Sequence, residues 1–169
     1  MTHRVAHYLW VTGRKVLARY LQSQANQVFQ IDIHPNATVG GGIMLDHGTG
    51  IVIGETAVVG DDVSILHGVT LGGSGRDGVD RHPKVGRGVL IGAGSSVLGN
   101  VRIGDGVQIG AGSLVIEDVE EDSVCVGVPA KVIGVVKRRG DGGEYESPAE
   151  KMSQTDAVIE LYDESRFEI

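Results

Sequence analysis

Apolar residues recur at every sixth position over most of the chain. Steps of six from Ile33 land on Ile33, Val39, Leu45, Ile51, Ala57, Val63 and Val69, then, after a break, on Val85, Ile91, Val97, Ile103, Ile109 and Val115. Every one of these is apolar in a chain that is 41% hydrophobic, so chance does not explain the series. An amphipathic helix repeats near 3.6 residues and an amphipathic strand at 2. A period of six instead fits short strands joined by tight corners, with an apolar side chain of each flat face pointing inward. Three hexapeptides close one triangular coil, and coils stack ~4.8 Å apart through backbone hydrogen bonds. Glycine often follows the apolar position, as at Gly40, Gly86, Gly92, Gly104 and Gly110. The 27 glycines among 169 residues therefore mark corners, where the chain turns sharply or takes positive φ. They show no G-X-Y period, which excludes collagen.

The break locates an insertion. Val69 to Val85 is sixteen residues against the six of one step, an excess of ten that falls in Gly72-Gly73-Ser74-Gly75-Arg76-Asp77-Gly78-Val79-Asp80-Arg81-His82. Insertions in a solenoid form loops, often on its working face. Three segments follow: a helical segment over 1–31, a β-helix over 32–136 with a loop at 72–84, and a linker with an acidic tail over 137–169. In the first, Val5, Leu9, Val16, Leu17, Tyr20 and Leu21 give a broken amphipathic pattern with a weak point at Gly13. Its charges, Arg4, Arg14, Lys15 and Arg19, are all basic. Packing against the coils or a sister subunit is expected, and His3 and His7 are expected to be solvated.

Charge and cysteine narrow the function. The formal charge of −7 is carried by residues 140–169, where Asp141, Glu144, Glu146, Glu150, Asp156, Glu160, Asp163, Glu164 and Glu168 face only Lys151 and Arg166. A neutral body with an acidic tail argues against nucleic-acid binding. No apolar run reaches the ~20 residues of a membrane span, so no membrane role is expected. The single cysteine, Cys125, permits no intramolecular disulfide and suits a reducing, cytoplasmic setting.

Two histidine clusters could carry chemistry: His47 in Leu45-Asp46-His47-Gly48-Thr49-Gly50, and His82 in Asp80-Arg81-His82-Pro83-Lys84. Acyl transfer to an alcohol needs a base for the hydroxyl proton, and histidine titrates in the right range. A carboxylate on the other ring nitrogen would fix the tautomer and stabilise the imidazolium. Asp46 adjoins His47 but would face the other way on an extended strand. Asp32, fifteen residues earlier and so less than one coil away, can lie on an adjacent layer. Backbone N–H groups of Gly72-Gly73-Ser74-Gly75 could receive a developing oxyanion.

Residues 4–134 closely resemble the catalytic part of the serine acetyltransferases, members of the hexapeptide-repeat acyltransferases. The resemblance rests on Asp32-Ile33-His34-Pro35, Gly42 to His47, Gly50 to Thr56, Val69-Thr70-Leu71-Gly72-Gly73, Asp80 to Lys84 and Gly127-Val128-Pro129-Ala130. It implies an all-β solenoid, a left-handed parallel β-helix, that transfers acetyl from acetyl-CoA to the hydroxyl of L-serine, the first step of cysteine biosynthesis. No metal is implied. In that likeness His47 is the general base, Asp32 its partner, Asp46 a ligand for the substrate amino group, Arg81 the carboxylate clamp and His82 the second active-site histidine. Coenzyme A would lie between neighbouring solenoids of a homotrimer, with Gly73, Ala93 and Ala111 as small residues along the pantetheine arm and Lys84 and Lys131 toward its phosphates. Cysteine, shaped like serine, is the implied feedback inhibitor.

Two departures stand out. The family usually carries a larger N-terminal helical domain, so a plain trimer is expected here rather than a hexamer. The long acidic tail ends Arg166-Phe167-Glu168-Ile169, and the resemblance makes Ile169 the anchor of a peptide that docks on O-acetylserine sulfhydrylase. Attack is expected to be direct, since Cys125 has no histidine near it in sequence. The alternatives are another small acceptor such as homoserine, a zinc-dependent carbonic-anhydrase-like lyase using His47, His67 and His82, and a non-catalytic β-helix bearing a peptide tail.

Overall fold

The computed structural model describes residues 1–75 and 79–136. Two helices, α1 (Thr2–Val11) and α2 (Lys15–Phe29), precede a solenoid. Its first coil holds β1 (Ile31–Ile33), β2 (Thr38–Val39) and β3 (Met44–Asp46), and its second β4 (Ile51–Ile53), β5 (Val58–Val59) and β6 (Ser64–Leu66). The third holds β7 (Thr70–Gly72), β8 (Lys84–Val85) and β9 (Leu90–Ile91), and the fourth β10 (Ser96–Leu98), β11 (Arg102–Ile103) and β12 (Gln108–Ile109). β13 (Leu114–Val115) begins a fifth, closed by a hairpin of β14 (Ser123–Gly127) and β15 (Ala130–Val135). The three flat faces are parallel sheets in the orders β1-β4-β7-β10-β13, β11-β8-β5-β2 and β15-β14-β12-β9-β6-β3, with only β15 antiparallel. This is the left-handed parallel β-helix of hexapeptide coils.

The inward series is buried as the period requires. Ile51, Ala57, Val63, Val69, Val85, Ile91, Val97, Ile103, Ile109 and Val115 all lie in one core that runs along the axis. Ile33, Val39 and Leu45 are only partly buried, because they belong to the first coil, which has a neighbour on one side alone.

The register corrects the reading of the insertion. Ile31 pairs with Ile51, twenty residues on; Val52 pairs with Thr70, eighteen on; Thr70 pairs with Ser96, twenty-six on. The ten-residue excess is thus two insertions, two residues between β3 and β4 and eight between β7 and β8. The smaller one is hidden from the six-residue count because each strand has two inward positions, as at Ile51 and Ile53 or Val63 and Ile65, all buried. A slip of two therefore moves the series from one apolar position to the other.

The helices divide at Thr12–Arg14, with Gly13 at φ +84°. Helix α1, with Ala6 and Leu9 buried, meets the first coil through polar and ring contacts: Arg4 Nη2 donates to the Gly40 carbonyl at 2.6 Å, the Trp10 ring stands edge-on to His34 at 4.9 Å, and the His7 ring donates from Nδ1 to the Pro35 carbonyl at 2.8 Å. His3 is partly buried as well, and burial together with neighbouring His7 lowers its pKa to about 4. The expectation that both histidines are solvated is therefore overturned: they form part of the helix–solenoid contact. Among the described residues, no helix is long and apolar enough to cross a membrane.

Candidate active site

The corner between β3 and β4 holds the two extra residues, and His47 is among them. Its φ is +58°, with Gly48 at +62° and Gly50 at +76°. Left-handed backbone at a non-glycine residue costs of order 1 kcal/mol or more and recurs at functional sites. It also ends the strand's alternation. Asp46 and His47, expected on opposite faces, have their side chains together, with Asp46 Oδ1 3.8 Å from His47 Nε2. The His47 side chain is 78% exposed. The corner folds back over the start of β1, where the Gly50 N–H donates to the Gln30 carbonyl at 2.8 Å.

Asp32 lies in β1 beside this corner. Its Oδ1 accepts from Gln22 Nε2 on α2 at 2.5 Å. Arg19 Nη1 donates to the same amide's oxygen at 3.3 Å. Because arginine only donates, this contact turns the Gln22 NH₂ toward Asp32. In the single chain the carboxylate nearest the His47 ring is thus that of Asp46, while Asp32 is held by the helix.

Further coils extend the same edge. The N–H of Gly68 donates to the Thr49 carbonyl, that of Gly94 to His67, and that of Gly112 to Ala93, each at 2.8 to 2.9 Å. These bonds stack His67, Ala93 and Ala111 on the layers beyond His47. The His67 ring stands edge-on to that of His47, with centroids 6.1 Å apart. The edge therefore carries histidine at one end and alanine two and three layers on. At ~4.8 Å per layer, Ala111 is roughly 14 Å from the His47 layer.

A different corner, between β7 and β8, carries the larger insertion, and His82 sits in it against the β4–β5 corner of the coil before. The ring is buried, 5% exposed. Its Nδ1 accepts from the Thr56 N–H at 3.2 Å and lies 2.9 Å from Thr56 Oγ1. That oxygen also accepts from the backbone N–H groups of Arg81 and His82, at 3.1 and 3.2 Å. Burial first, and then the positive charges of Arg81 and Lys84, lower the His82 pKa against the opposing pull of Glu55 and Asp80. Gly54 lies under the ring, where an added Cβ would collide with His82 Cδ2 and Nε2. A Cβ at Gly73 would come within 3.0 Å of Nε2.

Lys84 has three partners inside the chain: the Thr56 carbonyl at 2.8 Å, the His82 carbonyl at 2.8 Å and Asp80 Oδ1 at 2.6 Å. Its ammonium closes the base of the loop. Lys131, by contrast, is exposed on β15. Cys125 is 1% exposed within the core, and burial raises its pKa, the opposite of an activated nucleophile. Ile169 and the whole tail lie outside the described residues.

The structure thus brings the sequence-derived residues together as two groups. Asp32, Asp46, His47, Ala93 and Ala111 belong to the β3–β4 edge and the strand beside it. Gly73, Arg81 and His82 belong to the β7–β8 corner, on another edge of the triangular prism. No three of the His, Cys, Asp and Glu side chains among the described residues gather as a metal site, so the zinc set of His47, His67 and His82 does not assemble within one chain. Gln22, Gly54 and Thr56 escape a reading by motif chemistry, since an amide, a glycine and a hydroxyl give no signal until their partners are known.

Comparison with known proteins places this geometry. Residues 82–117 match the bacterial transferase hexapeptide model, described as six repeats. A probable serine acetyltransferase of Oryza sativa subsp. japonica is 62% identical over 133 residues, 79% of this chain and 38% of that protein. The solved serine acetyltransferase of Brucella abortus in complex with coenzyme A superposes with a TM-score of 0.79 at 56% identity, over 80% of this chain and 54% of that one. The Neisseria gonorrhoeae enzyme in complex with serine gives 0.76 at 57%, over 79% and 54%. The chain spans about half the length of such relatives, or less. By its coils, its sequence and its superposition, the chain carries a hexapeptide transferase domain and is strongly homologous to the serine acetyltransferases.

Proposed function

We propose that this chain is the catalytic part of a serine O-acetyltransferase, transferring acetyl from acetyl-CoA to the hydroxyl of L-serine. The observation that carries the reading is the β3–β4 edge: an exposed histidine in left-handed backbone beside Asp46, with Asp32 on the adjoining strand and Ala93 and Ala111 two and three layers on. His47 takes the hydroxyl proton as the serine oxygen attacks the thioester carbonyl. The tetrahedral oxyanion collapses, the C–S bond breaks, and the proton passes from the imidazolium to the leaving sulfur. Asp46 or Asp32 offsets the imidazolium charge, and Asp46 also suits the substrate ammonium. The pantetheine arm runs along Ala93 and Ala111, with Lys131 toward the phosphates. Arg81 holds the serine carboxylate through its planar guanidinium. With Cys125 buried, attack is direct.

Since His47 and His82 lie on different edges, one substrate can meet both only between two chains. A homotrimer, His47 of one solenoid facing His82 of the next, satisfies this. Cysteine fits the serine site as a feedback inhibitor, and the tail ending in Ile169 is read as docking on O-acetylserine sulfhydrylase in the cytoplasm. A coupled assay with acetyl-CoA and either serine or homoserine tests the acceptor: turnover with serine, inhibited by cysteine, is expected, and preference for homoserine would replace the substrate. His47→Ala should lower kcat by about 10²–10⁴, and near-normal turnover would remove His47 as base. Deleting Ile169 should leave that rate intact and abolish association with the sulfhydrylase.

A further inference from the structure

We propose that Thr56 is a positioning residue: its hydroxyl and N–H fix His82 with the ring proton on Nε2, so that His82 donates a hydrogen bond to a substrate oxygen and does not act as a second base. The inference deepens the reading of His82 as an active-site group and rests on that reading.

The assignment of the proton follows from donor and acceptor rules. A backbone N–H can only donate, so the bond from Thr56 N to His82 Nδ1 at 3.2 Å requires a lone pair on Nδ1. The neutral ring then carries its proton on Nε2. The Thr56 hydroxyl completes the arrangement. Its oxygen accepts from Arg81 N and His82 N, which takes both lone pairs, and its own proton is left to point at Nδ1, 2.9 Å away. The carboxylate of Asp80, which Lys84 and, more weakly, the Thr56 hydroxyl hold in its charged form, is within reach of that proton. Were the proton turned to Asp80, the Thr56 N–H would still demand the lone pair on Nδ1.

The protein surroundings favour the neutral ring. Burial and the charges of Arg81 and Lys84 oppose a second proton, while Glu55 and Asp80 favour it and contribute less. One hydroxyl thus ties together the two residues, Arg81 and His82, that the resemblance sets against the substrate. Nε2 lies against two glycines, Gly54 and Gly73: an added Cβ would collide with it at the first and come within 3.0 Å of it at the second. A donor held in place before the substrate arrives suits an oxygen that gains or carries negative charge. A ring that binds a second proton only with difficulty is a poor base.

The test uses the full chain, with Thr56→Val, which keeps the shape and loses the hydroxyl, and Thr56→Ser, which restores it. Nitrogen-15 NMR of the His82 ring should show Nδ1 without a proton at neutral pH in the wild type and in both variants, because the Thr56 N–H belongs to the backbone and stays in each. In the serine assay, Thr56→Val should lower kcat about ten-fold with the KM for acetyl-CoA unchanged, and Thr56→Ser should recover most of it. A wild-type ring with its proton on Nδ1, or an unaltered kcat in Thr56→Val, overturns the proposal. Should Thr56→Val melt well below the wild type, the wild-type tautomer and the Thr56→Ser rate decide alone. Absence of serine turnover in the wild type would instead overturn the proposed function, whatever the tautomer.

Discussion

At Gly54 the missing side chain is a seat for a ring. An added Cβ would collide with the edge of the His82 imidazole, and the obstacle is a side chain rather than backbone, so His82 can move aside without unwinding the coil. Gly54→Ala should therefore reduce turnover markedly while shifting the melting temperature by no more than a few degrees. A wild-type rate in Gly54→Ala would show that the observed ring position is not the working one. Glycine at this place reads in sequence as one more corner residue, because nothing in a one-dimensional pattern shows a residue twenty-eight positions later lying across it. Thr56 is hidden for the same reason. His47 and His82 are legible since histidine announces its chemistry, but what holds them is supplied by residues with no chemistry of their own.

At the scale of the element, the solenoid was written plainly in the six-residue period, because each coil repeats the same inward position and the core buries it. The two-residue slip at His47 was not, because a strand with two inward positions tolerates it. That slip matters more than its size suggests, as it gives His47 its left-handed backbone and turns Asp46 toward the ring. Helix α1 shows a second limit. Of its two residues in the apolar pattern, Leu9 is buried but Val5 is exposed, whereas the contacts with the first coil include those of His3 with Ala37 and of His7 with Pro35. Burial holds the His3 pKa near 4, below its ordinary 6.5, so the unfolded or undocked state binds the proton more readily. The docking contribution is full above about pH 6.5 and is lost as pH falls toward 4. Amide hydrogen exchange in α1 should therefore quicken between pH 7 and pH 5 relative to that of β9, and His3→Leu should remove the difference. Equal protection at both pH values in the wild type would refute it.

On the scale of the whole molecule, the prism separates the two histidines that the proposed reaction combines. The corner that carries His47 joins the six-stranded sheet to the five-stranded one, and the corner that carries His82 joins the five-stranded sheet to the four-stranded one. Neither the period nor the spacing of thirty-five residues reveals this, since the edge a residue falls on depends on every insertion before it. A site assembled between chains has a consequence that a site within one chain lacks. Co-expressing His47→Ala with His82→Ala yields some interfaces in which the edge bearing His47 and the corner bearing His82 both come from unmutated positions. With random assembly of a closed ring in which each site draws on two neighbours, half of the sites receive an intact His47, and half of these an intact His82. Activity should then rise above that of either variant alone, toward about a quarter of wild type. If both groups served one site within a single chain, every chain would remain defective and mixing would add nothing. Measuring the mixed preparation against its two parents at equal total protein decides whether the smallest active unit of this molecule is one chain or two.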